Sequence, residues 1–379
     1  MTAVASLRIS GQFVDAFVYR TQLYAVTTTG KLRAYDVSDI EERATREHGE
    51  VGRALTYHLF HTKGMGANEQ QRAARLRFTN TDAFDKLTIT LEGDELPSVE
   101  REIGFPSYEV LDVLIYNDRL YLATDTGLWS ALLRGAARDL ELNERLPYRC
   151  FSAKVSRGAV AASCGDEGLN VIFDDFSWLG RTRKDVPLPR SLRCSYASLG
   201  LVNYTSRSSF EMLQGETRQI PDEPSTSAFV SFSASDFGTA ALLERLQALI
   251  EDLSVEKIDY IFNDGSQFAV FAGGLIIAVQ TQYSQGEGRR RSLTPRIVAS
   301  YEGNVVDAQP LGGGMVVETH KAVSFVHRDV NRAVEVHNGP VSSVRSFPRS
   351  YRYQELAVAV GEHCLTLVAA LRDRPHSGR

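Results

Sequence analysis

The sequence predicts an all-β fold of seven similar units. Three observations predict it: a recurring three-strand meander, a repeated spacing between an aspartate and a turn glycine, and unit starts mostly roughly 35 to 50 residues apart. The first unit runs Phe13 to Tyr19, Leu23 to Thr27 and Leu32 to Val37, three short apolar-rich segments separated by turns. It returns as Val110 to Tyr116, Leu120 to Thr124 and Leu128 to Leu133, and again as Lys257 to Phe262, Phe268 to Phe271 and Leu275 to Val279. In these three copies the aspartate precedes the glycine by fifteen residues: Asp15 to Gly30, Asp112 to Gly127, Asp259 to Gly274.

A fourth copy keeps the acid as Asp307, followed by Met315 to Thr319 and Ala322 to Val326. Two copies carry cysteine near that place, Cys150 before Ala159 to Ser163, and Cys194 before Leu201 to Tyr204. The last starts at Val341 and continues through Leu356 to Val360 and Leu365 to Val368. Candidate fourth strands are Leu55 to His61 or Leu87 to Leu91, Thr226 to Ser233, and Arg296 to Tyr301. A sheet with two apolar faces cannot bury both alone, whereas radial packing buries each against a neighbour. The expected architecture is a seven-bladed β-propeller spanning 1–379 as one domain, with one inserted amphipathic helix and one long loop insertion.

The loop is expected over about 38–109, part of it mobile because so long a connection is either functional or disordered. The helix lies in a second insertion, about 215–256, where Leu242, Leu246, Leu249, Ile250 and Leu253 share one face, with Ser235 or Asp236 as N-caps. This stripe either packs against the protein's own sheets or docks a partner. A short disordered tail is expected at 372–379.

A resemblance follows from two segments. Ala25 to Val37 resembles strand b, turn and strand c of a WD-repeat blade, with Tyr35-Asp36 at the Trp-Asp dipeptide, and Ala162 to Asp174 carries Phe173-Asp174 there. The resemblance implies a WD-like propeller serving as a platform for protein partners, that is, a non-catalytic scaffold or recognition subunit of a multiprotein assembly.

Composition narrows the classes further. With 43% hydrophobic residues, 23% charged residues and a net charge of -5, the chain has an ordinary soluble balance and implies no strongly electrostatic partner. The segment Met1 to Gln12 has no leader pattern, and no run approaches the roughly 18 apolar residues of a membrane span, so the expected address is cytoplasmic with no membrane partner. Cys150, Cys164, Cys194 and Cys364 lack CxxC spacing and read as reduced, mostly buried thiols. No cofactor is predicted: there is no Gly-x-Ser-x-Gly elbow, no phosphate-binding glycine loop and no HExxH, and His58 and His61 have no third ligand nearby.

Two further readings stay open. If first strands line a central channel, Asp15, Asp112, Asp259 and Asp307 form a partial acidic ring that could hold a cation or serve an enzyme; the plainer reading is that they accept local hydrogen bonds. The cluster Arg289, Arg290 and Arg291, with Arg181 to Lys184, could contact a partner or the phosphates of a nucleic acid if all share one rim.

Overall fold

The structure is a computed structural model. It describes residues 2–372 apart from 62–86, 104–108, 134–138, 174–182, 187–189, 198–199, 221–222, 250–257, 264–266, 284–290, 302, 312–313, 328–332, 348–349, 351 and 354. The second strands decide the architecture. Leu120 to Thr124, Ala159–Ser163, Gly200–Tyr204 and Leu356–Gly361 are buried at every position, so neither face of these strands meets water. Antiparallel strands covered on both faces require layers stacked on each side. Among the described residues the chain meets that requirement with seven sheets built mostly of strands consecutive in sequence, the arrangement of a seven-bladed, WD-like β-propeller. Two compact units share the sheets.

The unit made of Met1–Ile103 with Tyr301–Arg379 holds the first, sixth and seventh sheets. The first is Phe13–Tyr19, Gln22–Thr27, Lys31–Asp36 and Val99–Ile103. The sixth is Val305–Leu311, Gly314–Thr319, Ala322–His327 and Ala333–Asn338. The seventh begins with Val341–Ser346, Leu356–Gly361 and Cys364–Arg372 and is completed by the N-terminus: Thr2–Ser10 pairs antiparallel with Cys364–Arg372. Thr88–Leu91 then adds a parallel fifth strand against Ser6 to Ile9. Of the two fourth-strand candidates, Leu87 to Leu91 is therefore mostly strand but belongs to the seventh sheet. Leu55 to His61 is helix end, and Val99–Ile103 completes the first sheet.

The expected loop over 38–109 is corrected at its start, where helix α1 spans Val37–Phe60. The Asp36 carboxylate caps it by accepting from Ser38 N at 2.8 Å. Ile40 and Ala44, then Leu55 and Leu59, recur four apart and enter the same cluster as Leu7, Tyr35 and Leu367. The helix breaks at Gly49, whose φ of 60° and ψ of -139° lie outside helical space. The break lets the second half fold against the first so closely that a Cβ on Gly52 would sit 2.1 Å from the Ala44 carbonyl oxygen. Charged residues surrounding a broken apolar stripe hid this helix from a periodicity reading.

The unit Gly104–Ser300 holds the remaining four sheets. The second is Val110–Tyr116, Arg119–Thr124, Leu128–Leu132 and Asn143–Leu146; the third is Ser152–Ser156, Ala159–Ser163, Leu169–Phe173 and Arg183–Val186. The fourth is Arg193–Ala197, Gly200–Tyr204, Phe210–Ile220 and Glu223–Gly238; the fifth is Ile258–Asn263, Gln267–Ala272, Leu275–Tyr283 and Arg291–Ser300. The predicted outer strands Thr226 to Ser233 and Arg296 to Tyr301 fall within or overlap strands of the fourth and fifth sheets.

The inserted helix, α2, covers Thr239–Leu249. It starts later than the caps Ser235 and Asp236 predicted, because the buried Phe237 must reach Phe210 and Phe268 and holds the chain extended through Gly238. Ser235 Oγ instead accepts from Phe237 N. Ile250, Leu253 and the tail beyond Arg372 lie outside the described residues. Among those residues, no helix is long and apolar enough to cross a membrane.

Candidate functional site

The first strands of five sheets share a local device. Each has a β-bulge near its start, between Phe13 and Asp15, Val110 and Asp112, Ile258 and Tyr260, Val305 and Asp307, and Val341 and Ser343. A bulge re-aims the side chain that follows it. Asp15, Asp112, Asp307 and Ser343 all occupy that following position.

Asp15 is 2% exposed and saturated with donors. Its Oδ1 accepts from Ala16 N at 2.8 Å, Ser343 Oγ at 2.8 Å and Arg345 Nε at 2.7 Å, while Arg345 Nη2 donates to Oδ2. A bidentate Arg pair of this kind fixes geometry as well as charge. It joins the first strand of the first sheet to the first strand of the seventh. Asp112, buried in the second sheet, does the same for the third: its Oδ2 accepts from Ala153 N at 2.8 Å and Lys154 Nζ at 3.1 Å. Both carboxylates are thus occupied by a cationic side chain and a further donor of an adjacent sheet, the Ser343 hydroxyl for Asp15 and the Ala153 backbone N–H for Asp112.

Asp307 takes a different environment. Its Oδ2 accepts from Gln309 Nε2 at 2.6 Å, and its cross-strand partner is another acid, Glu318. Burial, then the Asp307 charge, push the Glu318 carboxyl up to about 7. Asp259 departs from the series. Register pairs Ile258 with Ala272 and Tyr260 with Phe271, so Asp259 is itself the bulged residue and is exposed. The cause is the hairpin that follows: Gly273 and Gly274 make a two-residue turn, whereas three residues separate Thr27 from Lys31 and Thr124 from Leu128. Equal spacing to a glycine therefore places Asp259 one position early, and one position in a strand changes the face.

Leu242 and Leu246 of α2 are fully buried beside Val202, Met212, Phe268 and Ile277, so they form the protein's own core and offer nothing to a partner. Leu249 ends the same helix. Arg289 and Arg290 lie outside the described residues, and Arg291 opens the outer strand of the fifth sheet. His61 is buried at the end of α1, paired with Glu41 and 3.4 Å from Arg352 Nη2. Among the described residues, no three His, Cys, Asp or Glu side chains are grouped to hold a metal.

The residues that composition and spacing did not single out are Ser343, Arg345, Lys154 and Glu318. A charged residue at an otherwise apolar first strand, as in Val341-Ser-Ser-Val-Arg345, was the signal available for the Asp15 partner.

No protein-family model matches the sequence. No curated protein matches it either. Solved structures do resemble the fold. The WD40 β-propeller domain of Doa1 is 10% identical, covering 98% of this chain and 94% of that one, with a TM-score of 0.47. The N-terminal domain of Nup159 is 10% identical over 96% and 90%, at 0.47. The β-propeller domain of Cps50 (Swd1) from Myceliophteria thermophila is 9% identical over 95% and 97%, at 0.49. Likeness of this order concerns architecture and says nothing of what this chain binds.

A second surface stands out in the fourth sheet. Its strands Phe210–Ile220 and Glu223–Gly238 run on as a two-stranded ribbon, since Gly200–Tyr204 pairs only as far as Gln214. One face of the ribbon is anchored on the third sheet. Phe232 stacks on Phe173, Arg157 lies over the Phe229 ring, and Phe229 N donates to Arg157 O at 3.1 Å, while Phe229 also stacks on Tyr196 of the ribbon's own sheet. Glu216 to Gln219 on the other strand are exposed on both faces.

Proposed function

We propose that this protein is a non-catalytic interaction scaffold, a subunit of a cytoplasmic multiprotein assembly, and that the ribbon at 210–238 is a principal partner surface. The observation that carries the reading is the ribbon's mounting: the Phe232–Phe173 stack and the Arg157 contacts to Phe229 hold one strand to the third sheet, while Glu216 to Gln219 keep a strand edge that no described strand covers. An open edge offers unpaired backbone donors and acceptors to an incoming strand, and the alternating charges Glu216 and Arg218 guard it against indiscriminate pairing. The first-strand acids support the same reading, because the Asp15 and Asp112 carboxylates already serve Arg345, Ser343, Ala153 and Lys154. Reduced thiols at all four cysteines suit a cytoplasmic setting.

The test is capture of the intact tagged protein from its native host, with chemical cross-linking and mass spectrometry, beside a variant carrying Glu216→Lys and Arg218→Glu. The scaffold reading expects a stoichiometric protein partner whose cross-links fall on the ribbon and whose recovery drops several-fold in the variant. Recovery of the protein alone, carrying a metal or small molecule that is lost in Asp112→Ala, would replace it with the cation-binding or enzyme reading.

A further inference from the structure

The cysteines are reduced thiols, and two of them meet in the interior. Cys150 precedes the first strand of the third sheet and Cys164 follows the second strand, and their Sγ atoms lie 3.2 Å apart. Cys150 Sγ also donates to Tyr148 O at 3.2 Å, so the thiols form a short chain that ends on a carbonyl. Backbone bonds hold the approach on both sides: Cys150 N donates to Thr124 O at 2.9 Å, Phe151 N to Ser163 O at 2.8 Å, and Cys164 N to Gly168 O at 2.9 Å. Sulfurs held this near need to close by only about 1 Å to reach the roughly 2.05 Å of a disulfide. Cys164 sits at the mouth of the turn formed by Gly165 and Gly168, both at positive φ, where backbone adjustment is easiest.

We propose that Cys150 and Cys164 are a site of oxidative modification, forming an intramolecular disulfide when the protein meets a hydroperoxide. The balance is closed. The Cys164 sulfur, as thiolate, attacks the peroxide O–O bond, becoming a sulfenic acid and releasing an alcohol or water. The Cys150 sulfur then attacks the Cys164 sulfur, the S–S bond forms, and the sulfenic oxygen leaves as water with the Cys150 proton. Two thiols lose two electrons, and the peroxide gains them. Cys164 is the entry point because it is 3% exposed while Cys150 is fully buried. The hydrogen bond to Cys164 and burial push the Cys150 thiol well above its ordinary value, so Cys150 keeps its proton near neutrality and serves as the resolving thiol. The product would tie the connection between the second and third sheets to the Cys164 to Gly168 turn, closing a short loop and constraining the unfolded chain.

The test exposes the intact protein to hydrogen peroxide, blocks remaining thiols with a maleimide under denaturing conditions, and maps the peptides by mass. The expected result is a protein lighter by two hydrogens, with a linked Cys150–Cys164 peptide, Cys194 and Cys364 both alkylated, and a higher thermal midpoint that returns on reduction. Cys164→Ser and Cys150→Ala should each abolish the linked peptide and the midpoint shift, and the mapping of the unmodified sequence stands if either variant fails to fold. Four alkylated cysteines after prolonged exposure, a link between another pair, or sulfinic acid at Cys164 without a link would overturn the proposal.

Discussion

At the Asp15 carboxylate three hydrogen-bond donors converge on one oxygen, and the pair with Arg345 joins residues 330 positions apart in the chain. Truncating one member of a buried ion pair strands the other charge, at a cost of about 3 to 5 kcal/mol. Asp15→Ala should therefore lower unfolding free energy by that order in urea titration. Asp15→Ala combined with Arg345→Met should lose clearly less than the two single changes added together, since the stranded guanidinium is gone.

Glu318 makes an opposite prediction. Its folded pKa of about 7 lies above the ordinary value of 4.5, so the folded state holds the proton more tightly and stability falls as pH rises from about 4.5 to 7. Glu318→Gln should flatten that dependence and stabilise the protein by about 1 to 2 kcal/mol above pH 7, read from thermal midpoints across the range. The acids themselves were legible from a strand pattern, but their partners were not, because no local spacing reports a contact between residues 15 and 345. Asp259 shows the converse limit, where one missing turn residue inverts a face that the count to a glycine could not see.

At the level of elements, α2 was legible because Leu242 and Leu246 repeat at helical spacing and bury completely. The helix belongs to the core, so Leu246→Glu should cost several kcal/mol and unfold the fourth and fifth sheets' shared cluster, detected as loss of the cooperative thermal transition; a folded protein that merely loses a partner would argue against that packing. Helix α1 was not legible: between Ala44 and Leu55 the sequence is mostly polar or charged, with glycines at 49 and 52, so the apolar stripe lapses for more than two turns where the backbone breaks at Gly49. Gly52→Ala drives a methyl into the Ala44 carbonyl and should destabilise the protein by about 2 kcal/mol or more, while a serine at Glu42, on the outer face, should change little. Outer strands such as Val99–Ile103 and Asn143–Leu146 escaped detection for a related reason, since they are largely exposed and carry no clean alternation.

Across the whole molecule, the seven meanders were readable because their middle strands are apolar on both faces, the residue signature of sheets stacked on sheets. The pairing of Thr2–Ser10 with Cys364–Arg372 was not readable, because strands from the two chain ends carry no mark of their register. Deleting residues 1–10 should leave the Cys364–Arg372 edge open and expose Leu7 and Ile9 partners, lowering the thermal midpoint and opening the C-terminal strands to protease. On the proposed division of roles the first-strand acids hold sheets together while recognition occurs on the outer ribbon. The most direct test measures thermal midpoint and recovered partner together for Asp112→Ala. The midpoint should fall by several degrees with partner recovery per folded molecule unchanged; an unchanged midpoint with the partner or a bound ligand lost would contradict that division of roles.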